Sequence, residues 1–236
     1  MFARNQVVHE AEPAGTIEGM TGARTVTGSR GRIDKRQAIL EGAFRVFARQ
    51  GYAQACVQEI ADEAGVAKPT VYNHLTDKAT LFRHTLEAVA QIALNERLAA
   101  LDPLHEPGED LRATLEDVGH RLLRLHCDDR SCALRRLLYS EIDRFPDALD
   151  IVRQSGPHRL NEALADRFAR LMLAGRLQAG DPAQAAEQFM ALLIGPLEAR
   201  SEMGTRQIDD AELRQVTIAA VRTFLLAFSE QRADGG

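Results

Sequence analysis

Apolar residues recur at intervals of three and four along most of the chain, and no useful length of sequence alternates with the period of two that is typical of β-strands. Asp34 and Gln37 match a capping box and predict the start of the first helix. Its apolar stripe includes Phe44 and Phe47, and Gly51 is expected to end it. The pattern as a whole predicts an all-α protein.

Two short helices and one long helix are predicted after the first. Gly65 ends the second helix, because glycine readily adopts the left-handed conformation of a tight C-terminal turn. Pro69 suits the first turn of the third helix, in which Val71 and Leu75 face inward. Asp77 then caps the longer fourth helix. A short helix, a glycine turn and a second short helix predict a helix-turn-helix, whose second helix can enter the major groove of DNA.

Helical spacing continues beyond a Pro- and Gly-containing loop at 102–108, with breaks at 156–157 and 180–182. The last two helices each carry an apolar stripe, and pairing with a second copy of the chain would bury both stripes in a four-helix contact. We therefore expect a homodimer; the alternative is that the stripes only close the core of one monomer. The stripes consist of Phe189, Leu192 and Leu193, followed by Leu213, Val216, Ala220 and Phe224.

Charge divides the chain into parts of opposite sign. Residues 30–83 hold nine basic and six acidic residues, whereas residues 84–236 hold 18 basic and 25 acidic residues. Since the whole chain carries a formal charge of −5, this asymmetry favours a small anion-binding module on a larger acidic body. We expect a disordered polar arm over 1–30, which lacks apolar periodicity, a DNA-binding domain over 31–82, and a helical effector-binding and dimerisation domain over 83–236.

The predicted third helix carries residue types that suit a DNA surface. Lys68 and Asn73 can contact base edges in the major groove. Thr70 and Tyr72 can donate hydrogen bonds to phosphate oxygens, although a core position for Tyr72 is the alternative. Lys78 adds positive charge, and the basic residues before the first helix either enter a minor groove or only solubilise the chain. The predicted DNA-binding residues are Lys35, Lys68, Pro69, Thr70, Tyr72, Asn73, His74 and Lys78.

Residues 33–82 contain the motifs Gly51-Tyr52, Val57-Gln58-Glu59-Ile60-Ala61, Ala64-Gly65-Val66-Ala67-Lys68-Pro69-Thr70-Val71-Tyr72-Asn73-His74-Leu75 and Asp77-Lys78. This segment resembles the N-terminal domain of TetR-family transcriptional regulators. The resemblance implies an all-helical homodimer with a three-helix DNA-binding head and a divergent C-terminal effector and dimerisation domain. The family usually has Thr or Ser at the start of the second helix, where this chain has Ala55 and Cys56, so a hydroxyl cap is expected to be missing.

Three polar residues, His126, Glu141 and Arg167, fall at the centres of otherwise apolar helical faces. Burial of a polar group is costly unless it finds another side chain, water or a ligand. We predict that the three residues bind a mainly apolar effector with one or two polar atoms; a structural Glu141–Arg167 ion pair is the alternative. More loosely, the C-terminal part resembles the AefR-like branch of the family in Glu141, Arg144-Phe145-Pro146, Gly156-Pro157 and Asp181-Pro182-Ala183.

The sequence favours a ligand-responsive regulator that represses transcription by binding a palindromic operator as a dimer. The alternative is a helical small-molecule or redox sensor, or an interaction protein, that does not bind an operator. No catalytic constellation stands out, and the spacing of His126, Cys127 and Cys132 matches no standard zinc pattern, so we expect no enzyme activity, metal or cofactor. The chain has no apolar signal segment and no membrane-length apolar run, so we expect a cytoplasmic protein with reduced cysteines.

Overall fold

The computed structural model describes residues 26–74, 76–201 and 206–228, which form α-helices and no strand within these ranges. The all-α prediction is therefore confirmed. The helices are α1 (Val26–Gln54), α2 (Val57–Glu63), α3 (Lys68–His74), α4 (Lys78–Ala100), α5 (Leu111–Cys127), α6 (Asp129–Glu141), α7 (Asp147–Ser155), α8 (Pro157–Leu173), α9 (Pro182–Arg200) and α10 (Asp210–Phe228), with a 3-10 turn at Asp102–Leu104.

The first helix begins earlier than the sequence predicted. It starts at Val26, within the segment expected to be a disordered arm, so Asp34 lies inside the helix and the predicted capping box is wrong. Extension of an existing helix costs much less than its nucleation, which allows a sequence of weak helix formers to continue α1 toward the N-terminus. Residues 1–25 of the predicted arm lie outside the described residues.

The helix-turn-helix forms where the sequence predicted it. Gly51 interrupts α1 with a φ of 75°, and Gly65 has a φ of 65° in the turn after α2. Phe47 and Ile60 are fully buried and Val71 is 1% exposed, so α1, α2 and α3 share one core. Leu75, predicted to face inward beside Val71, lies outside the described residues.

The second helix has a side-chain cap after all, supplied by sulfur. Cys56 occupies the position before α2 with extended backbone, and its Sγ accepts a hydrogen bond from the amide of Glu59 at 3.4 Å. The hydroxyl cap is absent, as expected, and the thiol takes its place because sulfur can also accept, although more weakly than a hydroxyl. The start of α2 is therefore fixed without Thr or Ser.

Two hydrophobic cores meet along α4. The first joins the three N-terminal helices to α6 and to Phe145, and it includes Phe82 of α4. The second fills the space between α5, α8, α9 and α10, and it includes Leu94 near the other end of α4. Since α4 contributes to both cores, a shift of this helix is felt in both parts of the chain.

The apolar stripes of the last two helices close the core of a single monomer, which was the alternative to dimerisation. Phe189 and Phe224 are fully buried and lie 5.1 Å apart between ring centroids, and both also contact Phe168. The prediction that these stripes form the contact between two chains was wrong, because periodicity identifies an inward face but not which elements cover it. The other stripe residues are buried or half-buried in the same core: Leu192, Leu193, Leu213, Val216 and Ala220.

We expect the Cys56→Ser variant to be more stable than the parent, because a hydroxyl is a stronger acceptor for the Glu59 amide than a thiol. Helix-cap differences of this kind are typically about 1 kcal/mol, and Cys56→Ala should be destabilised by roughly half of that. Urea denaturation followed by circular dichroism measures both changes. Ala53→Ser, an exposed substitution outside the cap, is the control; equal stability of the serine and alanine variants at position 56 would contradict the capping role.

Candidate nucleic-acid interface and cavity

The outer side of α3 presents a compact polar surface. Lys68, Pro69, Tyr72 and Asn73 are exposed, while Thr70 is half-buried. Tyr72 is 48% exposed, so the alternative that it is a core aromatic is wrong. His74, at the last position of α3, is half-buried. The predicted residues of this helix therefore lie together on a face that a duplex can reach.

Lys78 and Lys35, the two other lysines predicted to contact DNA, lie in different environments. Lys78 donates a hydrogen bond from Nζ to the carbonyl oxygen of Ala53 at 3.2 Å, and the same atom lies 4.5 Å from the ring centroid of Tyr52. Burial lowers the pKa of Lys78. Its side chain thus joins the start of α4 to the end of α1, whereas Lys35 is exposed on α1.

Two of the three acidic residues of α2, Glu59 and Glu63, pair with arginines of α1. Arg45 pairs with Glu63 and Arg49 pairs with Glu59, each at 2.7 Å. Hydrogen bonds from Gln50 and Arg49 lower the pKa of Glu59, so this carboxylate stays charged and paired. The pairs hold α1 against α2, and they leave the positive charge of the outer surface to the lysines.

A cavity of about 250 Å³ lies between α4, α5, α6, α8 and α9. Its wall is mainly aliphatic, with Leu134 and Leu138 from α6 and Leu160 from α8 among the lining residues. Polar groups enter it from four of these helices. They are Arg97, His126, Ser131, Arg135 and Asn161.

His126 is the one predicted ligand residue that lines this cavity. Burial, with a further contribution from Arg135 and then Arg97, lowers the pKa of His126 to about 3. The imidazole is therefore neutral at physiological pH and can donate one hydrogen bond and accept another.

Two arginines in the cavity wall were missed by the sequence analysis. Arg97 donates from Nη2 to the carbonyl oxygen of Leu125 at 3.5 Å and to Oγ of Ser131 at 3.2 Å. Arg135 donates from Nη1 to the carbonyl oxygen of His126 at 2.9 Å. A signal for Arg97 exists in the sequence, because it follows Ala93 by four residues and so continues the apolar stripe of α4.

Glu141 lies outside this cavity, at the end of α6 that faces the N-terminal helices. Its Oε1 accepts a hydrogen bond from the backbone amide of Tyr52 at 2.9 Å. A Cβ built on Gly51 would lie 3.3 Å from the same oxygen. Glu141 thus connects α6 to the turn at Gly51. It does not line the cavity, although the sequence analysis predicted that it binds a ligand.

Arg167 also lies outside the cavity. It donates to the carbonyl oxygen of Ala163 at 3.1 Å, and its Nη2 lies 2.8 Å from Nε2 of His105, which accepts because a guanidinium only donates. The alternative of a Glu141–Arg167 ion pair is absent too, because each side chain has other partners. Helical periodicity correctly placed both residues toward the interior but could not identify the neighbour that each one meets.

Within 26–74, 76–201 and 206–228, no group of three or more His, Cys, Asp or Glu side chains is arranged to hold a metal ion. No helix in the same ranges is both long and apolar enough to cross a membrane. The three cysteines are free thiols.

Two family models match the chain. The model for bacterial regulatory proteins of the tetR family matches residues 39–85, and the model for the C-terminal domain of AefR-like transcriptional repressors matches residues 113–230. Together the two matches cover the helix-turn-helix, α10 and the helices that surround the cavity, with the exception of most of α4.

Relatives of the chain are transcriptional regulators. The HTH-type transcriptional repressor Rv1474c of Mycobacterium tuberculosis is 27% identical over 177 residues, which cover 72% of this chain and 83% of the relative. The HTH-type transcriptional regulator YvkB of Bacillus subtilis is 25% identical over 170 residues, 72% of this chain and 85% of that one.

Two solved structures share the fold over most of their length. A TetR-family transcriptional regulator of Mesorhizobium loti is 29% identical, with a TM-score of 0.78 over 84% of this chain and 98% of that chain. The flavonoid-responsive regulator FrrA is 25% identical, with a TM-score of 0.65 over the same shares of the two chains.

Proposed function

Since the chain belongs to the TetR family of transcriptional regulators, which are not enzymes, we propose that it is a repressor that binds a palindromic operator as a homodimer and leaves DNA when a small molecule binds. The observation that carries the proposal is the position of α6, which lines the cavity with Ser131 and Leu138 and contacts the head through Glu141. A molecule in the cavity therefore touches an element that holds the DNA-binding head. The repressor name of one relative and the ligand response in the name of another are consistent with this function.

We assign DNA contact to the exposed side of α3. Asn73 and Lys68 contact base edges, while Thr70 and Tyr72 donate to phosphate oxygens. Lys35 and Lys78 contribute positive charge on either side of this helix. The side chain of Lys78 also joins the start of α4 to the end of α1. A dimer binds a palindrome when its two recognition helices lie about 34–36 Å apart or a multiple of that distance.

The effector has to bind more tightly to a conformation that cannot bind the operator, because only a difference in affinity shifts the equilibrium. Two helices join the cavity to the head. Ala93 and Arg97 of α4 line the cavity while Phe82 of the same helix lies in the head core, and α6 provides the second connection. A small rotation of either helix changes the separation of the two recognition helices in a dimer.

The contact between two chains is assigned to the outward faces of α9 and α10, in place of the buried stripes predicted from the sequence. On α10, Ile218 is 50% exposed and Leu226 is 78% exposed. On α9, the small residues Ala191 and Gly195 are exposed and allow close approach of another helix. A second copy placed on these faces buries apolar surface that one chain leaves open, and a two-fold axis covers both copies at once.

The alternative function is a sensor or interaction protein that does not bind an operator. A start of α2 without any side-chain cap would favour it, and Cys56 supplies that cap. Specific duplex binding discriminates between the two functions.

Selection of bound sequences from random duplexes should yield a palindrome with the parent protein. Asn73→Ala should change the preferred bases, since a bidentate contact of this residue type is worth about 1–3 kcal/mol of discrimination.

Tyr72→Phe should weaken binding to all duplexes by a similar factor of roughly two to ten, because only one phosphate hydrogen bond is lost. Tyr139→Phe, also at an exposed tyrosine, is the matched control. A parent protein that selects no sequence would rule out operator binding.

We expect Ile218→Asp to convert the dimer to a monomer, because a charge at the centre of the assigned contact has no partner across a two-fold axis. Sedimentation equilibrium at micromolar concentration measures the mass. Leu173→Asp is the control, since Leu173 is 89% exposed on α8 and lies outside the assigned faces. A parent protein that is monomeric, or an Ile218→Asp variant that remains dimeric with Leu226→Asp added, contradicts the assignment.

Loss of the Glu141 hydrogen bond should loosen the orientation of the head. Glu141→Ala is expected to exchange the Tyr52 amide proton faster and to bind the full palindrome at least about threefold more weakly, within the 0.5–2 kcal/mol typical of coupling residues, with little change for a single half-site. Glu141→Gln keeps an oxygen acceptor and should stay near the parent in both measurements. An alanine variant with unchanged amide exchange would show that this bond does not hold the turn.

A further inference from the structure

The cavity has an unbalanced charge. Arg97 and Arg135 are both in its wall, and the described residues that line it include no Asp or Glu. Neither arginine lies within 4 Å of a carboxylate oxygen among the side chains that the structure describes. Charged groups in an enclosed space are usually paired, so two arginines without a carboxylate indicate a site that an anion can complete.

The acidic residues nearby do not serve as carboxylate partners for these two arginines. Asp128 acts on Arg97 through its charge, but its Oδ1 accepts a hydrogen bond from the amide of Ser131 at 2.6 Å as the cap of α6. Glu96 also acts on Arg97, and it is exposed. Burial is the larger effect and lowers the pKa of Arg97, with repulsion from Arg135 in the same direction.

Both guanidinium groups keep donors for a ligand. A guanidinium has five N–H donors, and Arg97 makes its two hydrogen bonds from Nη2 alone. Arg135 donates once from Nη1 to the backbone and once from Nη2 to Sγ of Cys132 at 3.2 Å. Planar guanidinium groups match the two oxygens of a carboxylate better than they match a single acceptor atom.

The volume of the cavity and its aliphatic wall define the uncharged part of the ligand. An apolar cavity of roughly 150 Å³ is enough to bind benzene. At about 250 Å³ this cavity holds one substituted ring or a short aliphatic chain, and the leucines of α6 and α8 provide the apolar wall. Neutral His126, with Ser131 and Asn161, offers further hydrogen bonds near the arginines without adding a negative charge.

We propose that the cavity binds a small apolar monocarboxylic acid, with the carboxylate on Arg97 and Arg135 and the hydrocarbon part against the aliphatic wall. The inference rests on the proposed function, in which this acid is the molecule that releases the operator. It predicts a preference for anions that no neutral isostere shares.

Isothermal titration of the full chain with 3-phenylpropionate, 3-phenylpropanamide and 3-phenylpropylamine tests the inference. The three probes share the ring and chain and differ in charge. We expect the acid to bind at least about tenfold more tightly than the amide and the amine to show no binding, since an ionised acceptor strengthens the hydrogen bonds to arginine. Octanoate and octanamide repeat the comparison with a flexible chain.

Variants locate the anion. Arg135→Gln and Arg97→Gln should each reduce the ratio between acid and amide toward one, and Arg97→Lys should retain part of it. Arg121→Gln is the matched control, because Arg121 is an exposed arginine of α5 paired with Asp117 outside the cavity. Circular dichroism of each variant identifies any loss of folding. If a variant does not fold, the comparison of acid and amide with the parent protein still tests the inference.

Equal binding of acid and amide by the parent, or no binding of any probe at millimolar concentration, overturns the inference. A preference for the acid that survives both glutamine substitutions overturns the assignment to these arginines. Operator release is measured separately by gel shift with the same probes. An acid that binds with the expected preference but leaves the operator bound supports the ligand class and contradicts the proposed release.

Discussion

The hydrogen bond from the Tyr52 amide to Glu141 fixes the place of the head on the rest of the molecule. It joins residues that are 89 positions apart in sequence. The bond forms because Gly51 turns the chain with a positive φ and so directs the next amide toward α6. Beside it, the ring of Tyr52 lies 4.7 Å from Phe145 and 5.2 Å from Phe82, edge to face. The position of Tyr52 is therefore closely defined, because its amide has to reach a hydrogen-bond acceptor while its ring packs edge to face against the other rings.

In the proposed function, a chain with a net charge of −5 presents to DNA a head in which residues 30–83 hold nine basic and six acidic residues. Glu63 and Glu59 of α2 pair with Arg45 and Arg49, and Lys78 lies over the ring of Tyr52, so these partly exposed contacts join the helices of the head to one another. The outer side of α3 takes no part in that bracing, which leaves Lys68 and Asn73 for an external partner. The proposed association with DNA is therefore a property of one face, whatever the charge of the whole chain.

Local chemistry made most of the head predictable from the sequence. Asp77 accepts from the amide of Thr80 at 2.8 Å, Gly51 interrupts α1 where its end was expected, and Pro69 lies in the first turn of α3. These signals act over a few residues, so no knowledge of the fold is needed to interpret them. The partner of Glu141, in contrast, is set by how α6 packs against a turn almost ninety residues away, and periodicity carries no information on that neighbour. The same limit applied to Arg167 and to the stripes of the last two helices.

One of the polar residues that line the cavity also links three helices. Arg97 belongs to α4, and its Nη2 donates to the carbonyl oxygen of Leu125 on α5 and to Oγ of Ser131 on α6. In the proposed function, an anion bound at the remaining donors of Arg97, Nε and Nη1, acts on the side chain that holds α4 beside α5 and α6. Its interaction energy would then differ between two arrangements of these helices, which is what a shift between them requires. Because α6 continues from Ser131 to Glu141, the proposed ligand response would pass from Arg97 to the junction with the head through one helix of 13 residues.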